Sequence, residues 1–550
     1  MMIMRLTLAG ATALLLAAAA PADQQRVALL HEAREVAGAV APEQRFPALL
    51  RIAEGELDLG DEADAKATLV LANAALAAAA NPPSFADGRG FVGLLTRAGD
   101  LPGALKVVDS VTDPGRHLIM LSAIAEAQAA HGQKDALRDS LALMDQAGEA
   151  EGAHDSGFGL VARAASDAGD AETALLVAER ITRKGLNLTV TARILEAKAR
   201  RGDRAQVPER LDPLKAELAS VPERERGFPT VALAAAYEAS GRIEVAKELV
   251  RQSLPAADAP RAADEPVLIL ARGEAWAEAR EVAEHAPPLA RPDALFALAQ
   301  MALSAGRKEE ARAELREAAS AESGRNVAGA NGQPPLLRIL AAQIEAEDTE
   351  GALAAVGKVA AEERGDYLIG ILTAETLRGR EGAASLIKLV EQILPKLKNP
   401  RERIEALVRS AVAQATLGDA EAAHQGFARA RREAGKGEST DLALIASGQA
   451  EAHDLEGALA TLHEIKNPGD PGQLLALVID AAAEAGDTGP ASREVEHLPP
   501  ERRDPTLARI AHAEASQGQF DEALKNARFI ADPGTRLAIM IALSRSANPQ

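Results

Sequence analysis

The chain has 550 residues, 61 basic and 81 acidic side chains, a formal net charge of −20 and no cysteine. The lack of cysteine excludes disulfides, thiolate metal ligands and cysteine nucleophiles, and the acidic balance argues against a nucleic-acid partner because it repels a phosphate backbone. Hydrophobic residues make up 47% of the chain but aromatic residues only 2%. A core must therefore consist of Ala, Leu, Val and Ile, which favours helices over sheets.

Residues 1–22 have the three-part pattern of a cleavable secretory signal peptide. Arg5 carries the positive charge, residues 6–20 are apolar and uncharged, and Ala20 and Ala22 are the small residues that a signal peptidase reads. The apolar run is short for a membrane span, which needs about 20 residues. We expect a periplasmic or secreted mature chain without a membrane span; the alternative is an uncleaved Ala-rich helix or anchor.

One pattern then recurs along the whole chain at intervals of 32 to 41 residues. Each copy has an anchor residue, usually Gly, followed by a polar residue, with Ala five positions after the anchor in 11 of 14 copies. The exceptions are Leu137, Val207 and Glu278. A fixed period in this range is typical of stacked supersecondary units. The anchors are Gly60, Gly99, Gly132, Gly169, Gly202, Gly241, Gly273, Gly306, Glu347, Gly379, Gly418, His453, Gly486 and Gly518.

Each copy predicts two helices joined by a tight turn. Gly at the anchor can take the left-handed conformation that ends a helix, and Asp or Thr directly after it can cap the next helix. Pro turns such as Asp113-Pro114 and Asp532-Pro533 then end the second helix. The pattern therefore predicts an all-α chain.

The repeat resembles the tetratricopeptide (TPR) superfamily. A small residue stands seven positions before the anchor in 8 of 14 copies, for example Ala125 and Ala162, and the large aromatic residues of that family are replaced by Ile, Leu or Ala. The resemblance implies a right-handed α-α superhelix of about 13–14 helical hairpins; a related class such as HEAT repeats stays open. The residues that we expect to build the repeat are Gly99, Ala104, Gly132, Gly169, Ala174, Gly306, Ala311, Gly418, Ala423, Gly518 and Ala523.

Residues 23–550 are expected to form this solenoid, either unbroken or as two arms, 23–319 and 336–550. The segment 320–335, rich in Gly, Asn, Ser and Pro, would join the arms. The last predicted helix, 536–546, is apolar on nearly every side. It is expected to pack into the last groove, and the alternative is an end that mediates self-association or partner docking.

Four arginines follow Pro turns and are expected in the first turn of a helix: Arg116, Arg403, Arg509 and Arg536. They are candidate partner contacts. The interpretation that we favour is a structural contact to a neighbouring carboxylate or turn carbonyl, reused as the unit repeats.

No motif predicts a catalytic residue, a metal site or a cofactor. Gly88–Gly93 spells a dinucleotide-binding loop without a βαβ unit around it, and Ser385–Lys388 lacks the partner motifs of a β-lactamase-like enzyme. His154-Asp155-Ser156 is contiguous in a Gly-rich stretch and is not a triad. The sequence thus favours an exported, non-catalytic scaffold that binds a peptide, helix or loop of a partner protein in a concave groove. The alternatives are an enzyme with a groove-located site and a self-assembling envelope protein.

The signal peptide gives a direct prediction. Protein recovered from the envelope or the medium should begin at or next to Asp23, as read by N-terminal sequencing or intact mass. A mature form that retains residues 1–22 would contradict cleavage.

Overall fold

The computed structural model describes residues 23, 25–81, 83–147, 152–253, 264–322, 335–359, 367, 371–372, 387–388, 390–391, 394–397, 399–435, 439–465 and 470–546. These residues are helical or in turns, and none of them is in a strand. The predicted signal peptide, the Gly379 anchor and most of the predicted linker 320–335 lie outside the described residues. Cleavage and the division into two arms therefore stay predictions.

The chain forms two compact units. One consists of Met1–Ala104 together with Lys398–Gln550, and the other of Leu105–Leu397. None of the described helices is long and apolar enough to cross a membrane.

We number the α-helices in chain order, and short 3-10 turns follow at Leu218–Ser220, Glu223–Glu225, Leu394–Lys396 and Val495–His497. The α-helices are α1 (25–37), α2 (Pro42–Asp58), α3 (Glu62–Ala78), α4 (Phe85–Arg97), α5 (Leu101–Asp109), α6 (Pro114–Ala130), α7 (Lys134–Gln146), α8 (Ala153–Asp167), α9 (Ala171–Ala178), α10 (Lys184–Arg200), α11 (Val207–Glu217), α12 (Gly227–Ala239), α13 (Ile243–Ser253), α14 (Asp264–Arg272), α15 (Trp276–Glu284), α16 (Arg291–Ser304), α17 (Lys308–Glu322), α18 (Pro335–Glu345), α19 (Thr349–Val356), α20 (Pro400–Thr416), α21 (Ala420–Ala434), α22 (Ser439–Glu451), α23 (Leu455–His463), α24 (Pro471–Ala485), α25 (Thr488–Glu494), α26 (Pro500–Ser516), α27 (Phe520–Phe529) and α28 (Pro533–Ser546).

The described helices pair into thirteen hairpins, from α2–α3 to α26–α27. We call the helix before an anchor the A helix and the helix after it the B helix. A helices pack against their own B helices, as α2 does against α3 and α8 against α9, and successive A helices such as α6 and α8 also pack together. The protein is thus an all-α array of TPR-like helical hairpins, as the sequence predicts.

The turn chemistry follows the prediction. Gly169 has a φ of 88°, and the side chain of Asp170 accepts a hydrogen bond from the backbone N–H of Thr173 at 3.1 Å. Ala174, five residues after the anchor, and Ala162, seven before it, are both fully buried, and their helices α8 and α9 pack together. Because each presents only a methyl group, the two backbones can approach closely.

One predicted anchor is wrong by one residue. The left-handed residue is Glu274, with a φ of 60°, and Gly273 is not in that region. Counted from Glu274, the residue five positions on is Ala279, which is fully buried, so Glu278 is no exception to the pattern. A Cβ at position 273 would lie 2.2 Å from Cδ1 of Ile243, so the side chain of Ile243 would have to move to accept it.

A buried polar pair inside the hairpin is a feature that the sequence analysis missed. It joins the residue four before the anchor to the residue eight after it. Asn526 donates to Glu514 at 2.9 Å, and Thr461 donates to Gln449 at 2.6 Å. Glu56 takes the same position, where burial raises its pKa to about 7 against the opposing hydrogen bond from Thr68. Since Gln fills this position in other copies, a protonated Glu is its neutral equivalent.

The two ends of the chain pack together within the first unit. Among the described residues, α1 is the first helix and α28 is the last. Leu29 of α1 lies in one apolar cluster with Leu543 of α28 and with Ala511, Ala515, Ala523 and Ala527. Nε of Arg26 donates to the carbonyl oxygen of Ser544 at 2.9 Å. The first helix therefore serves as the B helix of the last copy.

Charged side chains and the α1–α2 turn support this pairing. Arg528 pairs with Glu32 at 2.7 Å. Arg45 donates to the carbonyls of Val40 and Gly38, and an Arg makes the same two contacts in two other turns that lead from a B helix to an A helix, through Arg226 and Arg503. Helix α1 thus enters α2 as any B helix enters the next copy. The apolar side chains of α28, including Met540 and Ile541, are buried against the chain itself, so self-association through 536–546 is not proposed.

The anchors predict opposite effects of the same substitution at two glycines of one hairpin. Gly169→Ala should lower the free energy of unfolding by about 1 kcal/mol, because a left-handed backbone is strained for any residue with a Cβ. Gly159→Ala, in the middle of α8, should raise it by about 0.5–1 kcal/mol, since the new methyl would meet only Val190 at 3.9 Å and Ala favours helix. Urea unfolding midpoints measure both. Glu274→Gly, which relieves a left-handed Glu, should also stabilise; shifts of the same sign for the two Gly→Ala variants would contradict the assignment.

Glu56 predicts a pH-dependent stability. Its pKa in the folded chain is raised to about 7, so folding favours the protonated carboxyl, and this contribution is lost as the pH rises from about 4.5 to 7. In the unmodified chain the free energy of unfolding should fall by roughly 3 kcal/mol over that window, and Glu56→Gln should abolish this fall. Thermal melts at pH 5 and pH 8 measure it, with the exposed Glu62→Gln as the control. An unchanged difference between the two pH values in Glu56→Gln would show that Glu56 is not its source.

Candidate binding groove on the A helices

Arginine–carboxylate pairs join successive A helices. Arg200 of α10 pairs with Glu238 of α12 at 2.7 Å, and Arg409 of α20 pairs with Glu451 of α22 at 2.5 Å. Arg509 of α26 pairs with Asp480 of α24. Across the chain ends, Arg545 of α28 pairs with Glu54 of α2 at 2.7 Å. We call these contacts the A-helix ion pairs.

A groove of about 410 Å³ opens on α24, α26 and α28 in the first unit. Its apolar walls are short side chains, chiefly Ala483, Ala508 and Ala513, with Ile539 of α28. Such walls leave room for an inserted side chain or a helix edge. The polar groups that line it are Asp480, Glu484, Arg509, His512 and Ser516.

Asp480 is the most buried charged group of this groove. It is 8% exposed, and its Oδ2 atom pairs with Arg509. Its Oδ1 atom is buried and accepts no hydrogen bond from the residues that the structure describes. A buried carboxylate oxygen without a donor is costly, and Asp480 lines an open cavity. The groove therefore includes a residue with a buried hydrogen-bond acceptor that lacks a donor.

The four arginines predicted as candidate partner contacts are not brought together. Arg509 is in the third turn of α26 rather than in a first turn, and it makes the A-helix ion pair with Asp480. Arg403 donates to Glu433 at 2.7 Å, and Arg536 donates to the carbonyl of Ala531 at 3.4 Å. Arg116 lies in the first turn of α6, where Asp113 caps its backbone N–H at 2.7 Å.

The side chains of Arg403 and Arg509 contact carboxylates and that of Arg536 contacts a turn carbonyl, whereas the contact cited for Arg116 is through its backbone. Of the four, Arg509 lines the groove. A role of any of them in partner binding stays a prediction.

The chemical motifs have structural explanations. Gly88–Gly93 lies inside α4, so its backbone N–H groups are not arranged as a phosphate-binding loop. His154, Asp155 and Ser156 lie in the first turn of α8 rather than in a loop. Burial disfavours the charged form of Asp155, but hydrogen bonds from the backbone N–H groups of Thr182 and Arg183 outweigh it and lower its pKa to about 2. Asp155 thus fixes the turn before α10.

One cluster has the residue types of a metal site. Ligand atoms of His31, Asp61 and Asp64 lie within 4.8 Å of one another. Asp64, however, already accepts from His31 at 2.6 Å and from Arg34 at 2.9 Å, and Asp61 caps α3 through the backbone N–H of Asp64. The hydrogen bond from Arg34 lowers the pKa of Asp64. These contacts explain the cluster as a tether between α1 and α3.

No family model and no curated protein matches this chain. Among solved structures, it is similar to Ton1535 from Thermococcus onnurineus NA1, with 15% identity over 76% of this chain and 97% of that chain and a TM-score of 0.22. It is also similar to the maize pentatricopeptide repeat protein PPR10 in complex with an 18-nucleotide psaJ RNA element, with 14% identity over 96% and 86% and a TM-score of 0.26. A third is Naa15/Naa10 bound to HypK-THB, with 14% identity over 84% and 80% and a TM-score of 0.21.

The fold assignment is based on the helical hairpins of the chain itself and not on these similarities. The similarities do not identify the partner of this chain. They do overturn one expectation. The sequence argument excluded nucleic acid, whereas the pentatricopeptide repeat protein, itself a helical-repeat protein, is bound to RNA. That exclusion was wrong in its reasoning, because a net charge of −20 is a sum over the whole chain and does not fix the charge of any one surface.

Proposed function

We propose that this protein is a non-catalytic scaffold that binds a helix, peptide or loop of a partner protein in the groove on α24, α26 and α28. The observation that carries the proposal is the groove itself, with its short apolar walls and the incompletely satisfied Asp480 at its side. Helical arrays present such grooves between neighbouring helices, and an amphipathic segment is the partner that they fit.

The polar groups of the groove favour binding over catalysis. Asp480 is paired with Arg509, and a carboxylate held by a guanidinium is a poor general base. The hydroxyl of Ser516 donates to the backbone carbonyl of Ala513 at 2.7 Å rather than to a base. This arrangement lacks the nucleophile–base pair that an acyl-transfer site needs.

We further propose that the scaffold works outside the cytoplasm. The support is the three-part pattern of residues 1–22. The packed residues 25–37 of α1 lie after Ala22, so cleavage there would retain them.

Blocking the groove should abolish partner capture. Ser516 is exposed at the rim, so Ser516→Trp can fill the groove without disturbing the buried helix contacts. After cross-linking in the source cells and recovery from the envelope fraction, we expect a defined set of proteins enriched at least tenfold with the unmodified chain and lost with Ser516→Trp, since loss of one hot-spot contact costs on the order of 2 kcal/mol or more.

Asp521→Trp is the matched control, because Asp521 is exposed on the B helix α27 and does not line the groove. Melting curves of the three proteins establish that all are folded. Recovery of the same set with all three proteins would count against this groove as the binding site.

A further inference from the structure

We infer that the partner inserts a basic side chain, arginine or lysine, into the groove on α24, α26 and α28 and pairs it with the carboxylate of Asp480. This inference rests on the proposed function, and it adds the chemistry of the group that the groove selects. The argument has three independent parts: charge balance, an unsatisfied acceptor and the shape of the walls.

The groove contains more acid than base. Asp480 and Glu484 are four residues apart on α24 and therefore lie on one face of it, and both line the cavity. The one arginine or lysine in the lining is Arg509, so the lining has two carboxylates and one guanidinium. A cation from the partner would balance the charge of the site.

The acceptor is Oδ1 of Asp480. Arg509 engages the other oxygen, Oδ2, and the side chain of Arg509 is 56% exposed, so it can turn toward solvent when a second donor arrives. Ammonium and guanidinium groups are donors only and form the stronger, charge-assisted hydrogen bonds to carboxylates. A partner carboxylate would instead meet Glu484 and leave Oδ1 without a donor.

The walls of the groove suit the stem of a basic side chain. The side chain of Asp480 is one methylene shorter than that of a glutamate, so its carboxylate stays close to the helix backbone and leaves space beside it. The space is bordered by Ala508, Ala513 and Ile539, which suit the aliphatic stem of an arginine or lysine.

The experiment uses a short peptide as probe, acetyl-Ala-Ala-Arg-Ala-Ala-amide, and the same peptide with citrulline, which has nearly the shape of arginine but no charge. The full chain is labelled at isoleucine methyl groups, and the Ile539 signal reports binding in the groove. We expect the arginine peptide to shift this signal with a dissociation constant in the millimolar range. The citrulline peptide should bind at least tenfold more weakly, and Asp480→Asn should weaken the arginine peptide by a similar factor.

Two further variants make the result decisive. Glu484→Gln alters an exposed side chain and should weaken binding severalfold without a risk to folding, whereas Glu451→Gln changes an A-helix ion pair outside the groove lining and should leave binding unchanged. Equal binding of the two peptides, or no shift of the Ile539 signal, would overturn the inference. If partner capture is lost in Ser516→Trp but retained in Asp480→Asn, the proposed function holds and the inference of an inserted basic side chain is wrong.

Discussion

The close approach of two helices at a pair of methyl-sized side chains is the contact on which the structure depends. In the hairpin of α8 and α9 these side chains are Ala162 and Ala174, and neither is exposed to solvent. A larger residue at either position would force the helices apart or off their rotamers, because protein interiors have no spare volume at this scale. The spacing of the hairpins sets the spacing of the A helices, and so decides which charged residues pair and where a groove opens.

The packing of α1 against α28 extends this dependence to the chain ends. A linear array needs a polar outer face on its last helix, but α28 is apolar around its circumference and is covered by residues that begin the chain. Arg528 and Glu32 are 496 positions apart in sequence, yet they pair as neighbours in one array would. Helix α28 would otherwise expose its apolar surface, and the packing of α1 covers it. Its residue Ile539 forms a wall of the groove.

The features that local chemistry dictates could be predicted from the sequence, and those that depend on distant partners could not. Left-handed Gly169 followed by the cap Asp170 is recognisable because both signals lie within three residues. The sequence places this anchor at Gly273 rather than at Glu274, because glycine is the stronger signal for a left-handed residue. The pair of Glu514 with Asn526 spans twelve residues and was missed, since a polar side chain in an apolar helix face has no evident role until its partner is known. The pairing of Arg509 with Asp480 gave no local signal, and so neither the groove nor its charge was foreseen.

The distribution of charge decides what the acidic composition means. Along the A helices several carboxylates are paired with an arginine of a neighbouring copy, as Glu451 is with Arg409, so their negative charge contributes little to the surface field. The net charge of the chain therefore does not determine which class of partner it can bind, which is why it failed as an argument against nucleic acid. A site is informative about the partner where a carboxylate is only partly paired with an arginine and solvent is partly excluded. Asp480 meets both conditions, because one of its oxygens is paired, the other is buried without a donor, and the space beside it is open to an incoming side chain.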